Sequence, residues 1–280
     1  HWCHLLRQHA WRFQGWPWHH ALARWSLLRG LGKQGYATGQ GAFYHVNGDR
    51  YEGQWTANKC NGFGVYTSAK GARYEGDWKD DKQSGKGKEY WPQDGSVYTG
   101  DFEDGKKQGS GKYIWSNGQV YDGMFDNRIN GLGKYTWKDG REYYGEWEDN
   151  YMHGVGIYRY TDGIVYEGEY FKDAKMGYGY YKWTDDRVYE GWWFKGKQHG
   201  LGIYTDPRKG KRHGLWEHGK RQKLYDPETV DRINAQAYDY SNDLQTPDNA
   251  RYLIDNATYE RPEGIDQELR RIKEHFGLQM

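Results

Sequence analysis

The sequence lacks several features that identify common protein classes. It has no apolar run near the ~18 residues that a membrane-spanning helix needs, which argues against an integral membrane protein. It has only two cysteines, Cys3 and Cys60, which are too few for a disulfide framework. Its net charge is only +1, so the overall charge gives no reason to expect a nucleic acid or a strongly anionic partner.

Hydrophobic residues are also scarce, but aromatic residues and glycine are abundant. Hydrophobic residues make up 36% of the chain, and the mean hydropathy of −1.18 alone would suggest disorder. Trp, Tyr and Phe nevertheless make up 18% of the 280 residues, and the 40 glycines are about twice the usual share. This composition favours an ordered fold built from rings and glycine over a disordered chain or a Leu/Val core.

Two short elements repeat along the chain with the same period. The first is Tyr-x-Gly-x-aromatic, which recurs every 22–24 residues and begins at Tyr51, Tyr74, Tyr98, Tyr121, Tyr143, Tyr166 and Tyr189. The second is Gly-x-Gly followed by an aromatic residue, which begins at Gly39, Gly62, Gly85, Gly109, Gly131, Gly154, Gly177 and Gly200. Two interlocked elements with one period predict a repeat protein.

Both elements show the alternation of a β-strand. Tyr74, Gly76 and Trp78 point to one face of an extended chain, whereas Glu75 and Asp77 point to the other. Glycine leaves room on the first face for a neighbouring ring to lie against the backbone. Each ring buries ~150–250 Å², so ring packing can stabilise even a hydrophilic chain. The pattern predicts that each unit is one hairpin of an antiparallel sheet.

Gly-containing pairs between the two elements predict the turns. Asn47-Gly48, Asn117-Gly118 and Asp162-Gly163 each follow a Gly-x-Gly strand. Asn-Gly and Asp-Gly are preferred in tight hairpin turns, in which both central residues have positive φ. The other connection between strands, for example residues 148–153, is predicted to be a six-residue polar loop.

Two of these units, Tyr74–Trp78 with Gly85–Gly87 and Tyr166–Tyr170 with Gly177–Gly179, resemble MORN (membrane occupation and recognition nexus) repeats. The resemblance covers about residues 35–219. It implies an all-β repeat fold, an elongated single-layer antiparallel β-meander of MORN hairpins. The flanking sequences add the prediction of short helical extensions at both ends.

The repeat pattern is broken in three places. Glu89 stands where an aromatic residue is expected, and Asp185-Asp186 replaces the usual Asp-Gly pair. The unit around Gly214 and Trp216 has lost its tyrosine, which is typical of a terminal cap. The sequence therefore predicts three parts: an N-terminal extension over residues 1–34, a repeat sheet over 35–219 and a C-terminal tail over 220–280.

The N-terminal extension is basic and rich in tryptophan, with no Asp or Glu before Asp49. Its apolar residues recur at three- and four-residue steps, which predicts a helix. We expect this helix to bind a protein partner or a membrane surface. Its composition also resembles an organellar transit peptide. The candidate binding residues are Trp16, Trp18, Leu22, Arg24, Trp25 and Arg29.

The C-terminal tail is acidic and is predicted to be partly helical. Asp226 and Thr246 precede prolines and are plausible helix caps, and Gly277 suits the end of the last helix. Two interpretations stay open: the helices cap the sheet or pack under its aromatic face, or they bind another subunit. The residues that would make these contacts are Ile265, Leu269, Ile272 and Phe276.

No pattern in the sequence indicates catalysis. It has no phosphate-binding loop, no His-Glu-x-x-His and no Gly-x-Ser-x-Gly elbow, and no Cys and His spacing completes a metal site. We therefore expect no enzyme activity, no cofactor, no metal, no small-molecule substrate and no nucleic-acid partner. The candidate contacts with anionic lipid are Arg208, Lys209, Lys211 and Arg212.

The resemblance implies a non-catalytic structural scaffold, an accessory subunit of a large multiprotein assembly inside the cell. Proteins with MORN repeats act in this way in ciliary axonemes, in the cytoskeleton and at membrane junctions, which favours a cilium or the cytoskeleton. The N-terminal composition keeps a mitochondrial inner-membrane complex as an alternative. A peripheral tether that binds phospholipid is the second candidate function. A targeting module of an enzyme is the third and least favoured candidate. Such an enzyme has a separate catalytic domain, and the tail is short and has no catalytic motif.

Overall fold

The computed structural model describes residues 18–22, 26–33, 36–234 and 261–279. It divides into two compact units, with the boundary between Arg128 and Ile129. The strands of the first unit are β1 (Trp18–Leu22), β2 (Ser26–Lys33), β3 (Tyr36–Tyr44), β4 (Arg50–Thr56), β5 (Lys59–Thr67), β6 (Arg73–Lys79), β7 (Lys82–Trp91), β8 (Ser96–Glu103), β9 (Lys106–Ile114) and β10 (Val120–Asp126). Each strand pairs antiparallel with the next one along the chain.

The second unit has the same organisation and adds two helices. Its elements are β11 (Arg128–Thr136), β12 (Glu142–Glu148), β13 (Tyr151–Arg159), β14 (Val165–Phe171), β15 (Ala174–Lys182), β16 (Val188–Phe194), β17 (Lys197–Asp206), β18 (Gly210–Glu217), β19 (Lys220–Leu224), α1 (Pro227–Asn234) and α2 (Ile265–Phe276). Successive strands again pair antiparallel. The predicted antiparallel meander of hairpins is confirmed in both units.

The repeated tyrosines and aromatic residues form a ladder on one face of each sheet, here called the ladder face. Tyr74 is 1% exposed, and its hydroxyl donates to the carbonyl oxygen of Asp77 at 2.8 Å. Its ring meets Trp78 and Phe102 edge-on, with centroid distances of 5.2 and 5.0 Å. A Cβ atom added to Gly87 would lie 2.5 Å from Cε2 of that ring. The predicted contact between ring and glycine backbone is therefore confirmed.

The turns differ from the prediction, which is wrong for both connections. Of the pair Asn47-Gly48, only Gly48 has positive φ, at 94°, and its N–H donates to the His45 carbonyl of a longer loop. The tight two-residue turn lies on the other connection, where Asp149 and Asn150 have φ of 49° and 72°. Asp and Asn tolerate this left-handed conformation better than other non-glycine residues, so a pair without glycine also makes a tight turn.

The predicted N-terminal helix is wrong, because the described part of this segment is β1 and β2. β2 pairs with β3 in the register of a repeat, with Gly30 opposite Gly41. Gly30 and Gly32 are poor helix formers, and pairing satisfies the exposed backbone groups of β3. Strand pairing therefore outweighs the apolar periodicity on which the helix prediction rested. Paired strands also continue beyond the predicted sheet boundaries, to β1 at one end and β19 at the other.

The predicted C-terminal helix is confirmed as α2. Gly277 follows it in the left-handed conformation, with φ of 62°. Asp226 caps α1, because its Oδ1 accepts a hydrogen bond of 2.8 Å from the Thr229 amide. Thr246 lies outside the described residues. α2 contacts β12, β13 and β14, but on the face of the sheet away from the ladder.

Candidate interaction surfaces

The opposite face of the second unit, defined by Tyr144, Ile157, Tyr178 and Trp192, is covered by α2. These residues alternate along their strands with the ladder tyrosines and glycines. They form one apolar cluster with the helix residues Ile265, Leu269 and Ile272, which are 5%, 3% and 0% exposed. A three-residue apolar stripe of one helix thus completes the core of the second unit.

Charges at the edges of this contact are matched. Lys273 of α2 lies 2.9 Å from Glu167, with both side chains about one-fifth exposed. Arg271 lies 2.8 Å from Glu146, and Arg261 lies 3.6 Å from Glu190. Each exposed pair contributes at most ~1 kcal/mol. Their joint effect is to set the position of the helix along the strands.

The opposite face of the first unit is more polar and is open to solvent. Phe63 and Met124 are 51% and 41% exposed on it. Lys86, Thr99 and Lys112 are among the residues that line a shallow groove there. The corresponding strands of the second unit carry buried apolar residues. The two units therefore share the same arrangement of hairpins but differ in the side chains on this face.

The predicted lipid-contact residues lie together on the β17–β18 turn and on β18. Arg208, Lys209, Lys211 and Arg212 are all exposed. Burial and the charge of Lys211 lower the pKa of His213. β19 adds further exposed cations beside them, namely Lys220, Arg221 and Lys223. We call these seven cations the basic hairpin.

The remaining predicted site residues fall into two groups. Ile265, Leu269 and Ile272 are buried against the chain's own sheet, and the Phe276 ring lies 5.3 Å from that of Tyr144. A role for them in binding a partner stays a prediction. Of the N-terminal candidates, Trp18 and Leu22 lie on β1 and Arg29 on β2. Trp16, Arg24 and Trp25 lie outside the described residues.

The departure at Glu89 has a structural explanation that the sequence pattern did not reveal. Lys107 on β9 lies 2.9 Å from the Glu89 carboxylate, and the two side chains are 22% and 19% exposed. Gln83 also donates to Glu89, at 3.0 Å. The ammonium group of Lys107 lies 4.8 Å from the centroid of Trp91 and 5.0 Å from that of Tyr98. The acid replaces an aromatic residue because it partners a half-buried lysine.

Replacing Lys107 alone should destabilise the first unit. We expect Lys107→Met to lower the free energy of unfolding by about 2 kcal/mol, because it leaves the Glu89 carboxylate without its cation in a largely buried site. Urea denaturation followed by circular dichroism measures the change.

The second unit supplies the matched rescue for this prediction. Strand register places Tyr135 and Met152 where the first unit has Glu89 and Lys107. The double variant Glu89→Tyr/Lys107→Met should therefore recover most of the lost stability. A double variant no more stable than Lys107→Met would show that the ion pair does not explain the substitution.

Neither a metal cluster nor a membrane-spanning helix is found in the described residues. No group of three or more His, Cys, Asp or Glu side chains is arranged to hold a metal ion in the described part of the chain. None of the helices described is long and apolar enough to cross a membrane.

Comparisons with solved structures give only weak likenesses. One similar structure is the TCP domain of SAS-4 (dCPAP) of Drosophila melanogaster, solved in complex with a proline-rich motif of Ana2 (dSTIL). Its sequence is 14% identical to this chain, and the TM-score is 0.34. The alignment covers 54% of this chain and 82% of that domain. The TCP10 domain of Danio rerio CPAP is 12% identical to this chain, with a TM-score of 0.29. That alignment covers 71% of this chain and 95% of the TCP10 domain. TM-scores this low do not establish a shared fold. No curated protein matches the chain.

The repeat itself is identified by a family model. The MORN repeat matches seven segments, which are residues 51–73, 74–96, 98–120, 121–140, 143–165, 166–186 and 189–211. Together they span more than half of the chain. The MORN repeat is a non-catalytic module of protein or membrane interaction. With its ladder of rings over glycines and its repeated hairpins, this chain belongs to the MORN repeat family.

Proposed function

We propose that this chain is a non-catalytic scaffold, an accessory subunit that binds other proteins of a large assembly through its sheet and its terminal segments. One observation carries the proposal: the opposite face of the second unit binds the amphipathic helix α2. The side chains that alternate with the ladder supply both the apolar contact and the matched charges. The repeat thus builds a surface suited to a helix.

The first unit is the surface that we propose for a partner subunit. Its opposite face exposes Phe63 and Met124 between charged side chains such as Lys86 and Lys112. Isolated exposed apolar residues are ordinary on protein surfaces. These two indicate a binding surface because α2 docks on the equivalent positions of the second unit. We infer that a helix with an apolar stripe flanked by charges lies on this face in the assembly.

The test is isolation of the tagged full chain with its assembly. We expect fixed-ratio co-isolation of partner subunits from wild type, and their loss from a Phe63→Glu/Lys86→Glu variant. Lys70→Glu is the matched control, because Lys70 is an exposed turn residue. Quantitative mass spectrometry of the isolates gives the subunit ratios, and circular dichroism confirms that each variant is folded.

Two results would contradict the scaffold. One is a wild-type chain that elutes as a monomer without fixed-ratio partners. The other is partner binding that the double variant and the Lys70 control reduce to the same extent. Detectable turnover of a substrate by the purified chain would contradict the non-catalytic part of the proposal.

The basic hairpin supports a second candidate, a peripheral membrane tether. Its exposed cations are clustered within two short strands and one turn, and polybasic segments bind anionic lipid with ~1 kcal/mol per Lys or Arg. A tether requires salt-sensitive sedimentation with phosphatidylserine vesicles, lost in Arg208→Glu/Lys211→Glu. Without vesicle binding at low salt, the scaffold alone stands.

We propose a cilium or the cytoskeleton as the site of the assembly, on the strength of the family. The acid-free N-terminal segment keeps a mitochondrial inner-membrane complex as the alternative. Fluorescence microscopy of the tagged full chain against markers of the two compartments distinguishes them.

A further inference from the structure

Six rings form an unbroken row on the ladder face of the second unit. Neighbouring ring centroids along the row lie 5.1, 4.6, 6.3, 4.7 and 6.1 Å apart. In order, the rings belong to Trp137, Tyr158, Tyr160, Tyr181, Trp183 and Tyr204. We call these six residues the aromatic row. Tyr158 is buried, and the other five side chains are half-buried.

The aromatic row repeats with the hairpins. Trp137, Tyr160 and Trp183 directly follow the Gly-x-Gly strands β11, β13 and β15, so successive members are two strands apart. With ~4.8 Å between neighbouring strands, one step along these three rings is ~9.6 Å. A polyproline II helix has three residues per turn and rises ~3.1 Å per residue, so one turn is ~9.3 Å long. Every third residue of such a helix therefore meets one ring, with a mismatch below ~1 Å over three rings.

The two tryptophans of the aromatic row differ from the ladder tryptophans in the use of their indole N–H. Trp147 and Trp193 of the ladder donate theirs to glycine carbonyl oxygens of neighbouring strands, at 3.2 and 3.3 Å. In the described part of the chain, no acceptor binds the N–H of Trp137 or Trp183, and both nitrogens are open to solvent. A polyproline II backbone makes no internal hydrogen bonds. Its carbonyl oxygens can therefore accept from these two donors.

Two arginines hold these tryptophans in place. The guanidinium group of Arg141 lies 5.4 Å from the Trp137 ring centroid and donates to the Tyr158 hydroxyl at 3.0 Å. Arg187 lies 5.6 Å from the Trp183 ring in the same arrangement. Each arginine also donates to an aspartate of its own loop, at 2.7 and 2.6 Å. The rings are thus positioned by the chain itself, so a ligand does not have to order them.

The aromatic row leads into the basic hairpin. The loop after β17 occupies the next position along the row, because the same backbone hydrogen bond closes it. Asp206 stands there in place of a ring, and the exposed cations Arg208 and Lys209 follow it. Arg212, also exposed, lies opposite Tyr204 on the ladder face. A segment that lies along the row therefore meets an excess of positive charge at this end, and acidic residues there are complementary to it.

We propose that the aromatic row binds a proline-rich segment of a partner subunit in the polyproline II conformation, with acidic residues of that segment over the basic hairpin. This inference rests on the proposed scaffold function and names what a second surface recognises. One proline packs on each successive ring, and the indole N–H groups donate to carbonyl oxygens of the segment. Polyproline II is preformed in proline-rich chains, so binding costs little conformational entropy.

The test uses the full chain and capped peptides made of three Pro-Pro-Ala units and three glutamates. One peptide has the glutamates last and another has them first, because the direction of the segment along the row is open. Two control forms carry glycine in place of each proline or lysine in place of each glutamate. Isothermal titration calorimetry gives the dissociation constants.

We expect submillimolar binding of one of the two glutamate peptides. Its glycine form loses the preformed conformation, and its lysine form is repelled by the basic hairpin, so both should bind at least tenfold more weakly. Equal binding of the glycine form would overturn the proposal. Absence of binding by both glutamate peptides at about 5 mM would overturn it as well.

Variants locate the site. Trp137→Ala/Trp183→Ala should abolish binding. Trp137→Phe/Trp183→Phe is the substitute if the alanine variant does not fold, since it keeps two rings and removes both N–H donors, and it should weaken binding at least fivefold. Tyr151→Ser is the matched control, because Tyr151 is an exposed aromatic residue at the start of β13 and outside the row. Wild-type affinity in both tryptophan variants, with circular dichroism showing that they are folded, would refute the proposal.

Charge reversal tests the acidic end of the segment. In Arg208→Glu/Arg212→Glu the preference should invert, so that the lysine form binds more tightly than the glutamate peptide. An unchanged preference would contradict the contact between acidic residues and the basic hairpin. Sedimentation with phosphatidylserine vesicles, without binding of any peptide, would overturn the proposal and assign the basic hairpin to the membrane tether.

The peptide titration and the co-isolation experiment fail independently. Absence of peptide binding leaves partner capture through the opposite face to be observed. A chain that binds the glutamate peptide but co-isolates with no partner contradicts the scaffold and keeps the proline-rich site.

Discussion

Gly87→Ala is expected to destabilise the first unit by about 3 kcal/mol, at the upper end of the cost of overpacking. The added methyl group would lie 2.5 Å from both Cε2 and Oη of Tyr74. Tyr74 is 1% exposed and is held between Trp78 and Phe102, so the ring has no free space into which to move. Urea denaturation of the purified variant, followed by far-ultraviolet circular dichroism, measures the effect.

The control for this substitution is Gly105→Ala, in the turn between β8 and β9. Gly105 has φ of 80°, but no atom lies within 4 Å of an added Cβ. It should cost only the ~1–2 kcal/mol of placing alanine in the left-handed conformation. Gly87 does not have positive φ, so a larger loss at Gly87 measures the ring contact. Equal losses at the two sites would contradict the account of the ladder.

Ile272→Asp is expected to detach α2 and to expose the apolar face of the second unit. Ile272 is 0% exposed among Leu269, Ile157 and Trp192. Truncating such a side chain to alanine already lowers the free energy of unfolding by ~2–5 kcal/mol. A buried, unpaired carboxylate lowers it further, because the charge loses its hydration. We expect rapid amide hydrogen exchange throughout α2 and a lower midpoint of thermal unfolding.

Arg270→Asp is the matched control, because Arg270 is exposed on the same helix. It makes the same change to aspartate at the solvent-facing side and should leave exchange in α2 slow. If both variants exchange at the same rate, the helix is not held by its apolar stripe. The inference that the opposite face of the sheet recognises helices would then lose its basis.

Much of the fold could be predicted from the sequence because its information is local and repeated. The period of about 23 residues, the alternation of Tyr, Gly and Trp, and the packing of rings over glycine all follow from the spacing of side chains along the repeated strands. The apolar face of α2 and its C-terminal Gly277 were likewise readable from residues close together in the chain.

The failures concern choices between local alternatives. The apolar residues from Trp18 to Leu28 have helical spacing, with Gly30 as the expected helix end, but β3 presents a strand edge with which β2 can pair. Asn47-Gly48 and Asp149-Asn150 are both suited to turns, and the length of each connection decides which one is tight. A single sequence does not show which hydrogen-bonding partner a segment will find, since that partner is distant along the chain.

The contacts of single buried side chains could be found only after the strands had been placed in register. In the sequence Asp49 is an ordinary turn residue, and only the structure shows that its carboxylate accepts a hydrogen bond from the Ala69 amide of the next loop. Glu89 was visible as a departure from the pattern, but its partner Lys107 is distant in sequence and on another strand.

The sequence by itself determined that this chain is a MORN repeat protein, because the same pattern of Tyr, Gly and aromatic residues recurs in successive units along the chain. The tertiary structure decided which faces are covered and which groups meet. It placed α2 away from the ladder and paired Lys107 with Glu89. These contacts depend on register between strands, since groups that are neighbours across the sheet are separated along the chain by a turn or more.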